Sequence, residues 1–436
     1  MGRFSFVLVP VAALGLLAVG AVAACVGDDP TNKVSSESEA GSPSGGVDGG
    51  PMGTGDEGGS SGSDGGNPSG DGAVDAAPPP CGYPGEACCA APVKPCNDGA
   101  ACSTGATKVC RVTSAWAVGT FGVTIGGNPF PVARTASMQY DGSTWTIGPN
   151  VPTDWVPNAI SQGGAASVRV VSFHNNDLGG KVFGLAGPAW HECTANKACV
   201  APLTSGGKLV DFYAVTNVDG EYWLGGVNKI YRCASGDTKC SESTTGLSGQ
   251  SWAFGNFAGT SASDLWYSAI DRAFHYDGAT WTVHPNLKAY SIYQVRKSDT
   301  WVGTSTFQHW NGTAWSAEMN VGANPAPGSV YSIGGATTDD LLAVGVDNAR
   351  AAFSAHWDGK GWSLVSLPAG ATGVQSLWAP SVSEAFAVGD NAGVYKWDGK
   401  AWSAMPSPAP VADSGETLVA GSLRWVAVNG FARPRP

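Results

Sequence analysis

The chain has 436 residues, of which 43% are apolar, and a formal net charge of −11. That length and apolar content suffice for a sizeable core. Ten acids against Lys33 alone between Val26 and Pro80 carry −9 of the charge, so the remainder is nearly neutral, which excludes a basic stripe for nucleic acid and a polybasic patch for anionic lipid.

An apolar run from Phe4 to Ala24 ends in Val22-Ala23-Ala24-Cys25. About 20 apolar residues can span a bilayer. Here Pro10, Gly15 and Gly20 interrupt the run, small residues precede the cysteine, and no basic stop-transfer cluster follows. The segment resembles the lipobox of bacterial lipoprotein precursors, although its n-region offers only Arg3 and the terminal amine as positive charge. The resemblance implies a signal peptide over residues 1–24 and a lipid on Cys25 that attaches the mature chain to a membrane. It also implies sorting to the outer membrane, facing the periplasm or the cell surface, because position 26 is Val and not Asp. Each buried methylene of an acyl chain contributes about 0.8 kcal/mol, and two or three chains make a stable anchor.

Residues 25–80 are Gly, Ser, Pro and Asp with almost no large apolar side chain. Such a segment cannot offset the entropy of ordering and is expected to be a disordered acidic linker. Gly53-Thr54-Gly55-Asp56-Glu57-Gly58 and Gly58-Gly59-Ser60-Ser61-Gly62 match a dinucleotide fingerprint and a nucleophile elbow, but neither follows a strand or opens a helix, so both are chance matches.

Cys81, Cys88, Cys89, Cys96, Cys102 and Cys110 follow in the spacing C-x6-C-C-x6-C-x5-C-x7-C. A segment of this size, poor in large apolar residues, needs crosslinks in place of a core. Residues 81–110 are therefore read as a small disulfide-rich module, which resembles knottin-like secreted modules with a central Cys-Cys pair. Six cysteines allow fifteen pairings, and spacing does not choose among them. A metal site is disfavoured because the segment holds no His and no C-x-x-C. Cys193 with Cys199, and Cys233 with Cys240, are expected to close two short loops further on.

From Arg111 an aromatic, Asp or Asn, Gly, two residues and Trp recur. Copies are Tyr140-Asp141-Gly142-Ser143-Thr144-Trp145, Tyr276-Asp277-Gly278-Ala279-Thr280-Trp281 and Trp310-Asn311-Gly312-Thr313-Ala314-Trp315, followed by the turns at Asp358-Gly359 and Asp398-Gly399. Asp-Gly and Asn-Gly supply the positive φ of a hairpin turn. Degenerate copies are read at Trp190 and Tyr231. A second strand precedes each turn, as in Leu342-Ala343-Val344-Gly345 and Ala385-Phe386-Ala387-Val388-Gly389, and a third comes earlier, as in Val330-Tyr331-Ser332-Ile333. Anchors at Trp145, Trp190, Tyr231, Trp281, Trp315, Trp362 and Trp402 lie 34 to 50 residues apart. Four strands per unit at this spacing predict an all-β chain whose residues 111–436 form a β-propeller of seven four-stranded blades, closed by strands in Glu416–Phe431, with six or eight blades left open by the short stretch from Trp281 to Trp315. The turns resemble the Asp-box of sialidase-like propellers, with Asp and Trp one residue closer, and the Ala-Val-Gly strand resembles repeat proteins of the photosystem-assembly-factor kind.

A propeller fold hosts many functions. The resemblance to sialidases would imply an arginine triad, yet no arginine stands in that family's Arg-Ile-Pro context. Asp339-Asp340 falls in a loop before a second strand and reads as solvated rather than as a general acid and base. His275, His309 and His356 occupy the position before the turn aromatic, where the last copy has Lys396, so this position reads as structural. No catalytic, metal or cofactor-binding residue is therefore expected, and the chain is read as a non-catalytic binding or scaffold protein of the envelope with an unknown protein or glycan ligand. Most tryptophans recur at positions that fill the wedge between sheets. Trp155, Trp223 and Trp252 are off that register and are the candidates for stacking platforms in an alternative reading as a surface lectin; a glycan-degrading enzyme would need acids and arginines converging in the central channel.

Overall fold

The computed structural model describes residues 84–430 apart from short stretches, the longest being 90–95, 174–180, 193–203 and 234–239. The signal segment with Cys25, the acidic linker, Cys81, Trp155, Cys193 and Cys199 lie outside the described residues.

Regular structure among the described residues is entirely β, and seven sheets form a propeller. Six blades run in sequence order from inner to outer strand. Blade 2 is Val156–Gly164, Ser167–Phe173, Lys181–Ala186 and Ala189–Glu192; blade 3 is Phe212–Val218, Glu221–Gly226, Lys229–Cys233 and Cys240–Glu242. Blade 4 is Phe257–Ser261, Asp264–Ala269, Arg272–Tyr276 and Trp281–Pro285. Blade 5 is Ser291–Arg296, Asp299–Gly303 and Phe307–Trp310, with single bridges at Trp315 and Met319 in place of a fourth strand. Blade 6 is Pro327–Thr337, Asp340–Asp347, Ala352–Trp357 and Trp362–Leu364; blade 7 is Val374–Ser381, Glu384–Gly389, Val394–Trp397 and Trp402–Ala404.

Blade 1 joins the two ends of the ring. Its outer three strands are Ala115–Ile125, Val132–Tyr140 and Trp145–Ile147, and its inner strand is the C-terminal Arg424–Gly430, with Ala115 opposite Gly430 and Trp116 opposite Asn429. The short strand Glu416–Leu418 pairs with Val123–Ile125 and lengthens this blade, where Arg134 Nε donates to Glu416 Oε1 at 2.9 Å. Closure thus follows the sequence expectation, and it removes the sheet edge that an open array would expose.

The repeated turns take their shape from two residues. Glycine carries the positive φ, 100° at Gly142 and Gly278 and 97° at Gly312 and Gly399, a conformation that costs other residues a steric clash. The preceding Asp or Asn keeps an ordinary φ and caps the loop instead: Asp141 Oδ1 accepts from the N–H groups of Ser143 and Thr144, both at 2.8 Å. These bonds hold the exposed Asp141 carboxyl down at a pKa of about 2.

Tyr231 is not an outer-strand anchor. It lies on the third strand of blade 3, and Cys233 faces Cys240 across the site where Tyr276 faces Trp281 in blade 4. A disulfide therefore replaces the aromatic pair of that repeat, with Cα atoms 4.2 Å apart. In the cysteine-rich segment, Cys88 pairs with Cys102 and Cys96 with Cys110, and Ala100–Cys102 forms a hairpin with Cys110–Val112. Cys89 is also disulfide-bonded. Val112, at the end of that hairpin, is buried with the core of blade 1.

Candidate functional site

The inner strands of the blades enclose a central channel of about 810 Å³. Its wall mixes apolar side chains, among them Ile160, Ile292, Leu377 and Trp378, with amides and hydroxyls, among them Gln162, Asn217, Thr260, Gln294, Ser332 and Asn429, and among the described residues Asp219 is the only charged side chain on it. Several of the amides tie one inner strand to another. Gln294 Oε1 accepts from the N–H of Thr260 at 2.9 Å, and Asn429 Oδ1 accepts from the N–H of Gln162 at 3.1 Å. A Cβ on Gly163 would stand 2.6 Å from Asn217 Cγ, so glycine there lets the neighbouring amide lie against the backbone.

The two faces of the propeller differ. Turns between second and third strands, together with the links between blades, form one face, which we call the mouth. Among the described residues it carries eight of the nine exposed large apolar side chains: Ile125, Phe130, Val227 and Ile270 in the turns, and Phe254, Tyr290, Val411 and Leu418 in the links. The ninth, Val382, lies on the opposite face, the base. Beside the channel at the mouth, Tyr213, Phe254, Ile270 and Tyr290 line a smaller recess of about 180 Å³. Tyr213 meets Phe254 edge to face at 4.5 Å. Burial, with the Asp211 charge adding, pushes the Tyr213 phenol up to about 12, so it is neutral at physiological pH.

The base carries a charged ladder repeated in five blades. The acid that opens the second strand reaches a basic side chain on the third: Glu221 with Arg232, Asp264 with His275 and Asp299 with His309, at 2.7, 2.7 and 2.8 Å, then Asp340 with His356 at 3.3 Å and Glu384 with Lys396 at 2.7 Å. In blades 4, 5 and 7 the basic side chain also covers the aromatic beside it. His275 stacks on Trp266 at 4.3 Å and His309 on Trp301 at 4.5 Å, while Lys396 lies 5.3 Å over Phe386. Two of the acids bond to the following blade as well, and a third to the cysteine-rich hairpin: Asp264 Oδ2 accepts from Gln294 Nε2 at 2.9 Å, Asp299 Oδ2 from the Thr338 hydroxyl at 2.7 Å, and Glu384 Oε2 from the Val112 N–H at 3.4 Å. These histidines and acids therefore cement blades, as the lysine in the last copy suggested, and Asp340 belongs to the same ladder.

The structure corrects two of the three stacking candidates. Trp223 is fully buried and Trp252 is 7% exposed. Trp223 packs between blades against Trp281 at 6.1 Å, and Trp252 against Phe274 at 5.0 Å; neither offers a face to a ligand. The partly buried aromatics on the channel wall are Phe257, Tyr293, Tyr331 and Trp378. The wall amides escape sequence motifs because no fixed spacing links one inner strand to the next. Their only signal is an amide in an otherwise apolar inner strand, as in Ala427-Val428-Asn429.

A closed seven-bladed propeller with an open, nearly uncharged channel defines the class of this protein, and the sheet topology alone establishes it. No family model and no curated protein matches the chain. Among solved structures it is similar to YCF48 bound to D1 peptide, at 13% identity and a TM-score of 0.46 over 63% of this chain and 93% of that one. It is similar also to YCF48 from Cyanidioschyzon merolae, at 13% and 0.44 over 64% and 97%, and to the WD40 β-propeller domain of Doa1, at 10% and 0.42 over 62% and 93%.

Proposed function

We propose that this is an exported, lipid-anchored binding protein of the bacterial envelope, in which an acidic linker and a small disulfide module carry a non-catalytic propeller that takes its ligand at the mouth and in the channel. The observation that carries the reading is the channel of about 810 Å³ whose wall mixes apolar side chains with amides and hydroxyls and bears little charge, beside the face that holds nearly all the exposed large apolar side chains of the described residues. A concave site that combines apolar surface with a few placed amides, rimmed by apolar groups, suits recognition. Glycan hydrolysis uses a positioned pair of carboxyl groups, and among the described residues of the wall there is one, Asp219. We assign the ligand as a polypeptide, because Asn and Gln side chains match the donor and acceptor of a backbone amide and Phe254, Ile270 and Tyr290 offer apolar purchase at the rim. The test is full chain on peptide and glycan arrays in parallel. Capture by peptides supports the reading; capture by glycans alone, through Tyr331 and Trp378, makes it a lectin; turnover of an arrayed substrate overturns the non-catalytic assignment.

The anchor is tested separately by intact mass and membrane fractionation of wild type and Cys25→Ser. A mature chain beginning at Cys25 with added acyl mass, lost in the variant, is expected. A full-length unmodified chain would make Phe4–Ala24 a spanning segment instead.

A further inference from the structure

We infer that the recess at the mouth takes one large apolar side chain of a bound polypeptide, whose neighbouring backbone N–H groups donate to Asn158 and Asn256; the inference rests on the reading of mouth and channel as a binding site. The recess and the channel are continuous, because Asn158 and Asn256 line both. Tyr213, Phe254, Ile270 and Tyr290 supply the apolar surface of the recess, and the last three stand 48%, 46% and 41% exposed. A cavity of about 150 Å³ with apolar walls admits a benzene ring, so about 180 Å³ accommodates one phenylalanine or leucine side chain. Among the described residues no charged side chain lines the recess, and Asp271 and Arg272, which follow Ile270, pair with each other at 2.6 Å. A charged anchor would lose its hydration there without gaining a counter-ion.

The two asparagines set what the ligand backbone must offer. Asn158, on the inner strand of blade 2, donates from Nδ2 to the Phe212 carbonyl of blade 3 at 2.9 Å. Asn256, just ahead of the inner strand of blade 4, donates from Nδ2 to the Tyr290 carbonyl at 3.0 Å. A carbonyl oxygen only accepts, so each amide is held in one orientation, with Nδ2 engaged and Oδ1 left as an acceptor. Neither Oδ1 has a partner among the described residues; Asn158 is partly buried and Asn256 exposed. The threshold between recess and channel thus carries two positioned acceptors beside an apolar hole. An extended polypeptide supplies N–H donors on either side of a large side chain. A glycan supplies hydroxyl donors but no large apolar side chain for the recess.

The test is calorimetric titration of the detergent-solubilised full chain with blocked pentapeptides that carry phenylalanine, leucine, alanine or lysine between glycines. A fifth peptide has the phenylalanine centre and N-methylated flanking glycines. The phenylalanine and leucine peptides should bind about tenfold more tightly than the alanine one, and the lysine peptide no better than alanine. N-methylation should weaken the phenylalanine peptide about tenfold, because it removes the donors to the asparagines. Ile270→Asn and Phe254→Ser, both at exposed sites and confirmed folded by their melting curves, should each reduce the preference for phenylalanine over alanine. Equal binding of the phenylalanine and alanine peptides, or an unchanged preference in both variants, overturns the proposal. Full affinity of the N-methylated peptide overturns it as well. A chain that captures peptides on the arrays without preferring an apolar centre loses this site and keeps the binding function; a chain that captures nothing loses the function itself.

Discussion

Trp362, on the outer strand of blade 6, meets Trp301, on the second strand of blade 5, edge to face at 5.7 Å. The same relationship recurs as Trp145 with Phe386, Trp190 with Trp116, Trp281 with Trp223 and Trp315 with Trp266, at 5.7, 5.8, 6.1 and 5.5 Å. Each outer-strand tryptophan thus fills the wedge toward the preceding blade. Trp301→Ala opens that wedge and also strips His309 of its stacking partner, so it should destabilise the protein by about 3–5 kcal/mol. Chemical denaturation of wild type and variant measures the loss; a value below 1 kcal/mol would mean the blades do not depend on this contact.

Acid should act on the ladder with opposite signs at two of its members. Burial opposes the charge on Asp299, but hydrogen bonds from His309 and Thr338 outweigh it and hold the carboxyl below its ordinary 3.8. Its folded pKa is lower than its unfolded one, so Asp299 contributes stability above pH 3.8 that is lost as pH falls through the folded value. Asp340 is the reverse case, pushed above 3.8 by burial despite His356, so its ionised form weighs against folding once pH passes the folded value. Asp299→Asn should therefore cost more at pH 7 than Asp340→Asn, and should flatten the acid limb of a stability–pH curve. Equal costs, with unchanged acid limbs, would contradict this assignment.

Reduction should separate the module from the propeller. The disulfides Cys88–Cys102 and Cys96–Cys110 stand in a segment with few large apolar residues, whereas Cys233–Cys240 staples one turn of a ring built on seven sheets. Closing so short a loop contributes about 2 kcal/mol. The double change Cys233→Ala with Cys240→Ala should lower the melting temperature while keeping one cooperative transition in near-ultraviolet circular dichroism. Loss of that transition would show that blade 3 cannot hold without its staple.

The blade architecture was legible because its physics repeats: an Asp-Gly or Asn-Gly turn and a tryptophan return at the outer edge of blades 1, 4, 5, 6 and 7, and closure by Glu416–Phe431 follows from the need to leave no open edge. Reading failed where one chemistry substitutes for another. The disulfide in blade 3 stands where other blades have an aromatic and Trp, which drew Tyr231 into the wrong register and left Trp223 looking unpaired. Aligned on its acid, Glu221-Tyr222-Trp223 matches Asp264-Leu265-Trp266 and is core. The position shared by His275, His309, His356 and Lys396 was legible as structural, but its partner acids emerge only when the second strand is set against the third. The channel amides were invisible, since Gln162, Asn217, Gln294 and Asn429 converge from four strands far apart in the chain.

The central claim is that ligand enters the channel from the mouth. The most direct measurement is binding of the best array ligand to wild type, to Thr216→Trp, which places an indole on the channel wall, and to Val382→Asp on the base, each confirmed folded by its melting curve. The account predicts that Thr216→Trp lowers affinity about tenfold or more while Val382→Asp leaves it unchanged. Full affinity in Thr216→Trp, or loss confined to Val382→Asp, would place recognition outside the channel and contradict it.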